Sequence, residues 1–259
     1  MMKAFAVPLL FITLFFAETS HAETITIVGD SWCPYNCDLE SENPGALVEI
    51  AQHAFSKHGI TVDYKILPWS RAVNETREGK YTALVGASKD DAPGFVFPDI
   101  EQGLMRNGFY VKKDSSWKYT GIDALQSVSL GVIADYTYSD QLDPYIAANM
   151  ANIKKVQIVS GDEALTLNIK KLLAGRIDTL IEAQAVMNYT LAQKNLAGQL
   201  KEAGFIEPTP QDNLYIAFSP NNKKSKEYAT ILAKELAAMR KSKQLQTILA
   251  KYNMEDWRK

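Results

Sequence analysis

The stretch at residues 29–37, Gly-Asp-Ser-Trp-Cys-Pro-Tyr-Asn-Cys, carries the side chains best suited to bind a ligand. It follows an apolar run at residues 25–28 that is typical of a β-strand. Ligands of α/β sheets bind beyond the carboxyl ends of the strands, so an aromatic-rich loop there predicts that Trp32 and Tyr35 contact a ligand. The alternative is that both rings cover an edge of the core.

The only two cysteines of the sequence, Cys33 and Cys37, lie in this loop. An oxidising compartment favours a disulfide between them, which would stiffen the loop that carries the two rings. Because the closed ring is short, the chain-entropy estimate of its stabilisation is only about 2 kcal/mol. Three residues separate the cysteines, which is not the Cys-x-x-Cys spacing of thioredoxin-like redox sites, and two cysteines do not complete a tetrahedral zinc set.

Residues 1–22 have the pattern of a secretory signal peptide. Lys3 provides a short positive start, residues 4–17 form an apolar run too short to span a bilayer, and residues 20–22 offer small side chains around a cleavage point. Glu23 follows, where lipoprotein processing requires a cysteine. No later stretch is apolar enough for a membrane span. The sequence therefore predicts an exported periplasmic protein without stable membrane insertion.

Composition limits the classes of partner and reaction. A formal net charge of −2, with lysines and arginines scattered along the chain, argues against nucleic acid and anionic membranes as partners. The sequence offers no Ser/His/Asp set, no metal cluster and no phosphate-binding loop, and no cofactor is expected. A monomer that binds a small polar solute is the simplest expectation.

The elements that must position the loop alternate between strands and helices. The first part of the chain predicts strand, helix, strand, helix and strand, at residues 25–28, 44–59, 61–67, 68–79 and 83–88. Asn43 is predicted to cap the first helix, in which His53 and His58 are expected to be structural. Such alternation indicates an α/β fold with a mostly parallel sheet and right-handed crossovers.

The same rhythm restarts after about residue 128 and predicts a second lobe inserted in the first. Lobe 1 is expected to comprise residues 23–105 and 212–259, and lobe 2 residues 106–211. The chain would cross between lobes near 103–115 and again near 204–213, and the C-terminal helices would return to lobe 1. Two crossings form a hinge that lets the lobes close over a ligand.

These features resemble a type II periplasmic solute-binding protein of family 3, the polar amino acid-binding kind that serves ABC transporters. The resemblance covers essentially all of the chain after residue 22, and it rests on the order of several short segments. Those segments are the Trp-Cys-Pro-Tyr loop, Pro44-Gly45, residues 68–80, Phe97-Pro98, residues 130–132, and Leu-Ala-Gly-Arg-Ile-Asp at 173–178. It implies a two-lobed fold with the ligand in the cleft between the lobes.

In that family, one aromatic side chain from the first loop and one from the start of the second helix sandwich the ligand. Trp32 and Trp69 occupy the matching positions here. Two facing indole rings favour a flat, apolar or cationic group, because cation–π contacts contribute about 0.5–2 kcal/mol. The alternative for Trp69 is a core residue at a helix start.

The sequence departs from the family at both anchors of an amino acid. No arginine stands between Lys80 and Met105, where the family holds the α-carboxylate; Lys89 is the only cation of that loop, and Asp91 takes the arginine's place. Ala183 stands where the family has the acidic partner of the α-ammonium. Glu182 lies one residue earlier, and one residue along a strand changes the face.

Other side chains are candidates to replace these anchors because of their positions. Arg71, two residues after Trp69, could bind a carboxylate or phosphate in a bidentate manner, or form an exposed salt bridge. Ser88 ends the third predicted strand and could donate a hydrogen bond. Tyr136, Thr137 and Tyr138 precede a predicted helix, where free N–H groups attract anions and the family contacts its ligand.

The leading hypothesis is a binding protein that delivers a small polar solute, an amino acid or a related amine or organic acid, to an ABC importer or presents it to a membrane sensor. A second hypothesis is an enzyme, because the fold also resembles that of secreted cyclohexadienyl dehydratases, a class of carbon–oxygen lyase. Glu182 or Asp91 would then be the acid. A third is a sensory or accessory subunit that binds a partner protein, for which an exposed apolar patch would argue.

Overall fold

The computed structural model describes residues 23–161 and 163–258. The predicted signal peptide at 1–22 lies outside the described residues. Among the described residues, no helix is both long and apolar enough to cross a membrane.

The described chain folds into ten strands and seven α-helices that alternate much as the sequence predicts. In chain order they are β1 (Glu23–Gly29), α1 (Ala46–Ser56), β2 (Ile60–Ile66), α2 (Trp69–Arg77), β3 (Ala83–Ala87), β4 (Gly103–Leu104), β5 (Asn107–Lys112), β6 (Leu130–Ile133), α3 (Leu142–Asn149), β7 (Val156–Val159), α4 (Ala164–Leu173), β8 (Thr179–Ala183), α5 (Gln184–Gln193), β9 (Leu200–Phe205), β10 (Asn213–Phe218), α6 (Ser225–Lys241) and α7 (Gln244–Ala250).

The strands form two five-stranded sheets, one for each lobe. The sheet of the first lobe has the order β2-β1-β3-β10-β4 and the sheet of the second lobe the order β7-β6-β8-β5-β9. Three strands of each sheet are parallel, and the last two strands run antiparallel to their neighbours. The expectation of a mostly parallel sheet therefore holds for three strands of each lobe only. The two antiparallel strands are those next to the points where the chain passes between the sheets.

The C-terminal helices return to the first lobe, as predicted. Tyr228, Leu232 and Leu236 of α6 pack with Phe55 of α1 and Phe218 of β10 in the largest core cluster. Burying side chains of this size stabilises a fold by roughly 1.5–3 kcal/mol each. The first sheet is therefore tied to helices from both ends of the chain.

One local prediction was wrong, and one strand was missed. Asn43 does not cap α1, because the helix begins at Ala46 with Gly45 as the preceding residue and no side-chain cap. Strand β9 was not predicted, since its sequence alternates poorly: Leu200 and Ala203 are its only buried residues. It forms instead because β5 offers it a partner edge, with Gly204 at a left-handed φ of 140°.

Gly45 permits the close contact between α1 and the aromatic loop. Its φ of 108° lies in a region that only glycine adopts readily, and a Cβ there would lie 2.5 Å from the Cα of Asn36 and the carbonyl oxygen of Tyr35. The Gly45 N–H also donates to the Tyr252 hydroxyl over 3.0 Å. The start of α1 is therefore held against the loop and against Tyr252, which follows α7.

Gly45→Ala is expected to lower the free energy of unfolding by at least about 2 kcal/mol, because it adds backbone strain and a clash with backbone atoms. Gly59→Ala is the matched control: Gly59 has φ 69°, but nothing lies within 4 Å of its added Cβ, so about 1 kcal/mol is expected. Urea unfolding of the two variants measures the difference. Equal losses would contradict the role given to Gly45.

Candidate functional site

The loop after β1 is a tight ring closed by a disulfide. Cys33 and Cys37 are bonded, which confirms the predicted pair. The Trp32 N–H donates to the Asn36 carbonyl over 2.7 Å, and the Asn36 side chain donates to the Asp30 carbonyl over 2.7 Å. Each of these bonds restrains the backbone on either side of Trp32.

The Trp32 ring lies over β3 at Gly86. A Cβ at Gly86 would lie 2.9 Å from the Asn36 Oδ1 and 3.4 Å from the Trp32 Cε3, and the residue has φ 83°. Glycine therefore provides the room and the backbone conformation that this approach requires. The Trp32 ring also contacts Tyr35, with the ring centroids 4.6 Å apart.

Glu182, in β8 of the second lobe, is bonded to this ring. Its Oε1 accepts from the Trp32 Nε1 over 3.1 Å and from the Ala183 N–H over 2.7 Å. Glu182 is only 2% exposed, and its Oε2 has no hydrogen-bond partner among the described residues. Burial raises the pKa of this carboxyl to about 7, against the opposing effect of the two donors, and the charge of Asp30 raises it further.

Two more hydrogen bonds join the lobes. The Tyr136 hydroxyl, from the segment between β6 and α3, donates to the Asp30 Oδ2 over 2.7 Å. The Ser70 hydroxyl of α2 donates to the Asp135 carboxylate. Ala183 and Val186 of the second lobe also pack into the core of the first. The structure is therefore a closed form, with the lobes in contact across the cleft.

Among the described residues, three cavities of about 500, 30 and 610 Å³ lie in the cleft, and a fourth of about 540 Å³, lined by Pro34 and Ala185 among others, also borders both lobes. The first, called here the aromatic cavity, has a volume in the usual range for small-molecule sites. Its lining includes Asp30, Trp32, Trp69, Tyr136 and Glu182. The 30 Å³ space between the two tryptophans holds little more than a water molecule in this closed form.

The structure brings some of the predicted residues together. Trp32, Trp69, Tyr136 and Glu182 all line the aromatic cavity. Trp69 is the first residue of α2, which follows Pro68, so the chain turns at the cleft edge and places the indole there.

Other predicted residues line the third cavity. Ser88, Thr137 and Tyr138 face it, but Ser88 donates both its N–H and its hydroxyl to the Asp91 Oδ2, over 2.9 and 2.7 Å. The Tyr138 hydroxyl is buried and accepts from the Ile133 N–H over 2.8 Å. These groups are engaged within the protein in the closed form.

Three predicted residues are not brought to any of these cavities. Tyr35 is 2% exposed and its hydroxyl donates to the Leu104 carbonyl over 2.9 Å, so it belongs to the core. Arg71 points outward and binds Glu75 over 2.8 Å, the salt bridge that was its alternative. Lys89 is exposed and lies 5.5 Å from the ring centre of Tyr215.

Sequence reasoning missed Asp30 and Asp135. Asp30 directly follows β1, a position at which a polar side chain points toward the cleft of an α/β sheet, and this signal was present in the sequence. Asp135 has a left-handed φ of 63°, which the sequence alone did not indicate. Among the described residues, no three His, Cys, Asp or Glu side chains are arranged to hold a metal ion.

No protein-family model and no curated protein sequence matches this chain. Solved structures do match. A histidine kinase sensor domain with similarity to periplasmic binding proteins is 20% identical, with a TM-score of 0.70 over 88% of this chain and 95% of that one. An ancestral arginine-binding protein bound to glutamine is 18% identical, with a TM-score of 0.71 over 90% of this chain and 98% of that one.

A chain from the glutathione import and cystine ABC importer system of Streptococcus mutans is also similar, at 18% identity and a TM-score of 0.73 over 89% of this chain and 94% of that one. At sequence identities this low, the similarity of the structures establishes the fold alone. The chain has the two-lobed periplasmic-binding-protein fold, and the resemblance drawn from its sequence is confirmed at that level.

The raised pKa of Glu182 predicts a pH dependence of stability. Between about pH 4.5 and 7 the unfolded carboxyl is ionised while the folded one keeps its proton, so the free energy of unfolding falls as the pH rises through this window. Glu182→Gln removes the titration but keeps an oxygen to accept from Trp32. We expect the variant to gain stability relative to the wild type between pH 5 and 8.

Urea unfolding at several pH values measures this difference. The neighbouring Tyr35, Tyr136 and Tyr138 all have a raised pKa because of burial, so they stay neutral in this range. A constant difference between variant and wild type from pH 5 to 8 would contradict the raised pKa of Glu182.

Proposed function

We propose that the protein binds a small polar solute in the cleft between its lobes and passes it to an ABC importer or presents it to a membrane sensor. The observation that carries the proposal is the aromatic cavity itself. It draws Trp32 and Trp69 from the first lobe and Tyr136 and Glu182 from the second, so a solute bound there contacts both lobes. Closure then couples binding to a change of shape that a partner can recognise.

The lobes comprise residues 23–105 with 212–259, and residues 106–211. Support for these boundaries comes from the strands, since β4 and β10 belong to the first sheet and β5 and β9 to the second. The two connecting segments lie side by side where Arg106 contacts the Phe205 ring, 3.6 Å from its centre, and pairs with Glu202 over 3.3 Å. Opening requires rotation at these segments.

Export to the periplasm as a monomer fits this role, with residues 1–22 as the signal peptide. The similar structures, by their descriptions, include an arginine-binding protein, a chain of an import system and a kinase sensor domain. They support an importer or a membrane sensor as the recipient.

A thermal-shift screen tests the proposal. The purified protein, unfolded and refolded to remove carried-over ligand, is screened with amino acids, amines, organic acids and prephenate. A ligand at a hundred times its dissociation constant stabilises by about 2.7 kcal/mol, which raises the Tm by several degrees. We expect a hit in the panel; no shift with any compound would contradict solute binding of this class.

Trp69→Ala is expected to weaken the binding of such a hit about 5- to 30-fold, because stacking and cation–π contacts with one indole contribute on the order of 1–2 kcal/mol. Trp117→Phe is the matched control: Trp117 packs on Phe109 in the second lobe, outside the cleft. Isothermal titration gives both affinities. An unchanged affinity in Trp69→Ala would remove this indole from the site.

The hydrogen bonds of Ser70 and Tyr136 between the lobes are expected to hold the unliganded protein in its closed form. Removing both in the variant Ser70→Ala/Tyr136→Phe should shift the unliganded protein toward an open form, which increases the radius of gyration measured by small-angle X-ray scattering. Tyr145→Phe is the control, because its hydroxyl donates to the Leu125 carbonyl inside the second lobe. The same radius in all three proteins would contradict opening at this interface.

One observation favours a second candidate, a carbon–oxygen lyase. Glu182 is a buried carboxyl with a pKa of about 7 in a closed cleft, which suits a general acid at neutral pH. Asp91, the other acid considered, instead accepts two hydrogen bonds from Ser88. Recovery of the screened compound distinguishes the candidates: an unchanged compound supports the binding protein, and conversion to product supports the enzyme.

A further inference from the structure

The walls of the cleft are acidic. Among the described residues, five carboxyl groups line the aromatic cavity against one cation, Lys194, which is exposed. The third cavity is lined by four acidic residues and, among the described residues, by no lysine, arginine or histidine. The protein as a whole has a net charge of only −2, so negative charge is concentrated at the cleft. A cleft lined by charge of one sign concentrates ligands of the opposite sign.

One of the acids that line the aromatic cavity has a buried carboxyl oxygen with no hydrogen-bond partner among the described residues. Glu182 lines the aromatic cavity, is 98% buried and has an Oε2 with no hydrogen-bond partner among the described residues. Leaving a buried polar group unpaired costs about 1–3 kcal/mol. A ligand that donates a hydrogen bond to Oε2 would remove this cost, and a cationic donor would also stabilise the ionised carboxylate.

The aromatic rings next to these acids suit a cation. Trp32, Trp69 and Tyr136 line the same cavity as Asp30 and Glu182. The faces of such rings attract an ammonium or guanidinium group, and the attraction is strongest where water is excluded. The Asp30 carboxylate beside the rings adds a negative charge, and a cation bound there favours the ionised form of Glu182.

Among the described residues, the one cation that lines the aromatic cavity is the exposed Lys194, so a carboxylate on the ligand finds no buried cationic partner there. Arg71 is bonded to Glu75, and Lys89 lies outside the three cavities. The N-terminus of α4 borders the aromatic cavity, but Glu163 is the residue at its cap and places a negative charge at the positive end of the helix.

We propose that the solute is a small organic cation without a carboxylate, an aliphatic amine, diamine or guanidine, whose charged group binds against Trp32 and Trp69 and pairs with Glu182 and Asp30. This assignment rests on the proposed function and names the class of solute for the same cleft. It excludes the zwitterionic amino acids as preferred ligands.

Pairs of compounds that differ only by a carboxyl group test the assignment directly. Isothermal titration of the refolded wild-type protein compares agmatine with L-arginine, cadaverine with L-lysine, and putrescine with L-ornithine. In at least one pair we expect the amine to bind at least ten-fold more tightly than the amino acid. An amino acid that binds as tightly as its amine, or more tightly, in every pair that binds would overturn the proposal.

Variants locate the binding. Glu182→Gln and Asp30→Asn are each expected to weaken amine binding at least ten-fold, whereas Asp114→Asn, at an exposed acid outside the cleft, should leave it unchanged. Circular dichroism confirms that each variant is folded; the wild-type comparison needs no variant. Unchanged affinity in both cleft variants would overturn the assignment of these carboxylates.

The two proposals fail in different ways. If neither member of any pair binds while an organic acid or neutral compound of the thermal-shift panel does, the cation assignment is overturned and solute binding stands. If no compound of either set binds, solute binding of this class is contradicted as well.

Discussion

The hydrogen bond from Trp32 to Glu182 is the contact on which the cleft depends. It is buried and joins the loop after β1 of the first sheet to the end of β8 in the second. In a low-dielectric interior such a bond is stronger than in water, and an unpaired partner is costly. Loop, disulfide and strand therefore have to be placed accurately relative to one another for the lobes to meet.

The local structure makes the loop on the Trp32 side of this hydrogen bond rigid. The disulfide, the bonds around Asn36 and the close approach at Gly45 all restrain the loop that carries Trp32. Glu182, by contrast, is a buried carboxyl with one oxygen unpaired among the described residues. A preorganised aromatic wall facing an incompletely satisfied acid is an arrangement that a ligand can complete, since the ordering cost is already met by the fold.

The two sheets show how the same strand pattern serves both lobes. In each sheet, an antiparallel strand lies beside the three parallel ones. In the first sheet this strand is β10, which the chain enters when it returns from the second lobe; in the second sheet it is β5, which the chain enters when it leaves the first lobe. Because these antiparallel strands lie next to the connecting segments, movement of one lobe turns about them. The cleft walls combine loops at strand ends, which carry Asp30, Trp32 and Tyr136, with residues of regular elements such as Trp69 and Glu182.

Local patterns in the sequence were sufficient for most elements. Alternation and apolar runs predicted β1 to β3 and the helices between them, because their side chains are buried with regular periods. Strand β9 was missed because its buried positions are few and its pairing with β5 is a tertiary contact. The helix start at Ala46 depended on the approach of the loop to Gly45, which local propensity does not encode.

The sequence by itself determined the two-lobed α/β fold, the aromatic loop, the Cys33–Cys37 pair and the candidacy of Trp32, Trp69 and Glu182. These follow from residue type and order along the chain. Only the tertiary structure decided that Tyr35 belongs to the core, that Arg71 binds Glu75, and that Asp30 and Tyr136 meet across the cleft. The physical reason is that these contacts depend on how the elements pack: Tyr35 meets Leu104 and Tyr136 meets Asp30 across 69 and 106 positions of the chain, a relation that no local pattern specifies. The four-residue spacing of Arg71 and Glu75 permits their pair on a helix but does not show whether that helix face turns to the cleft or to solvent.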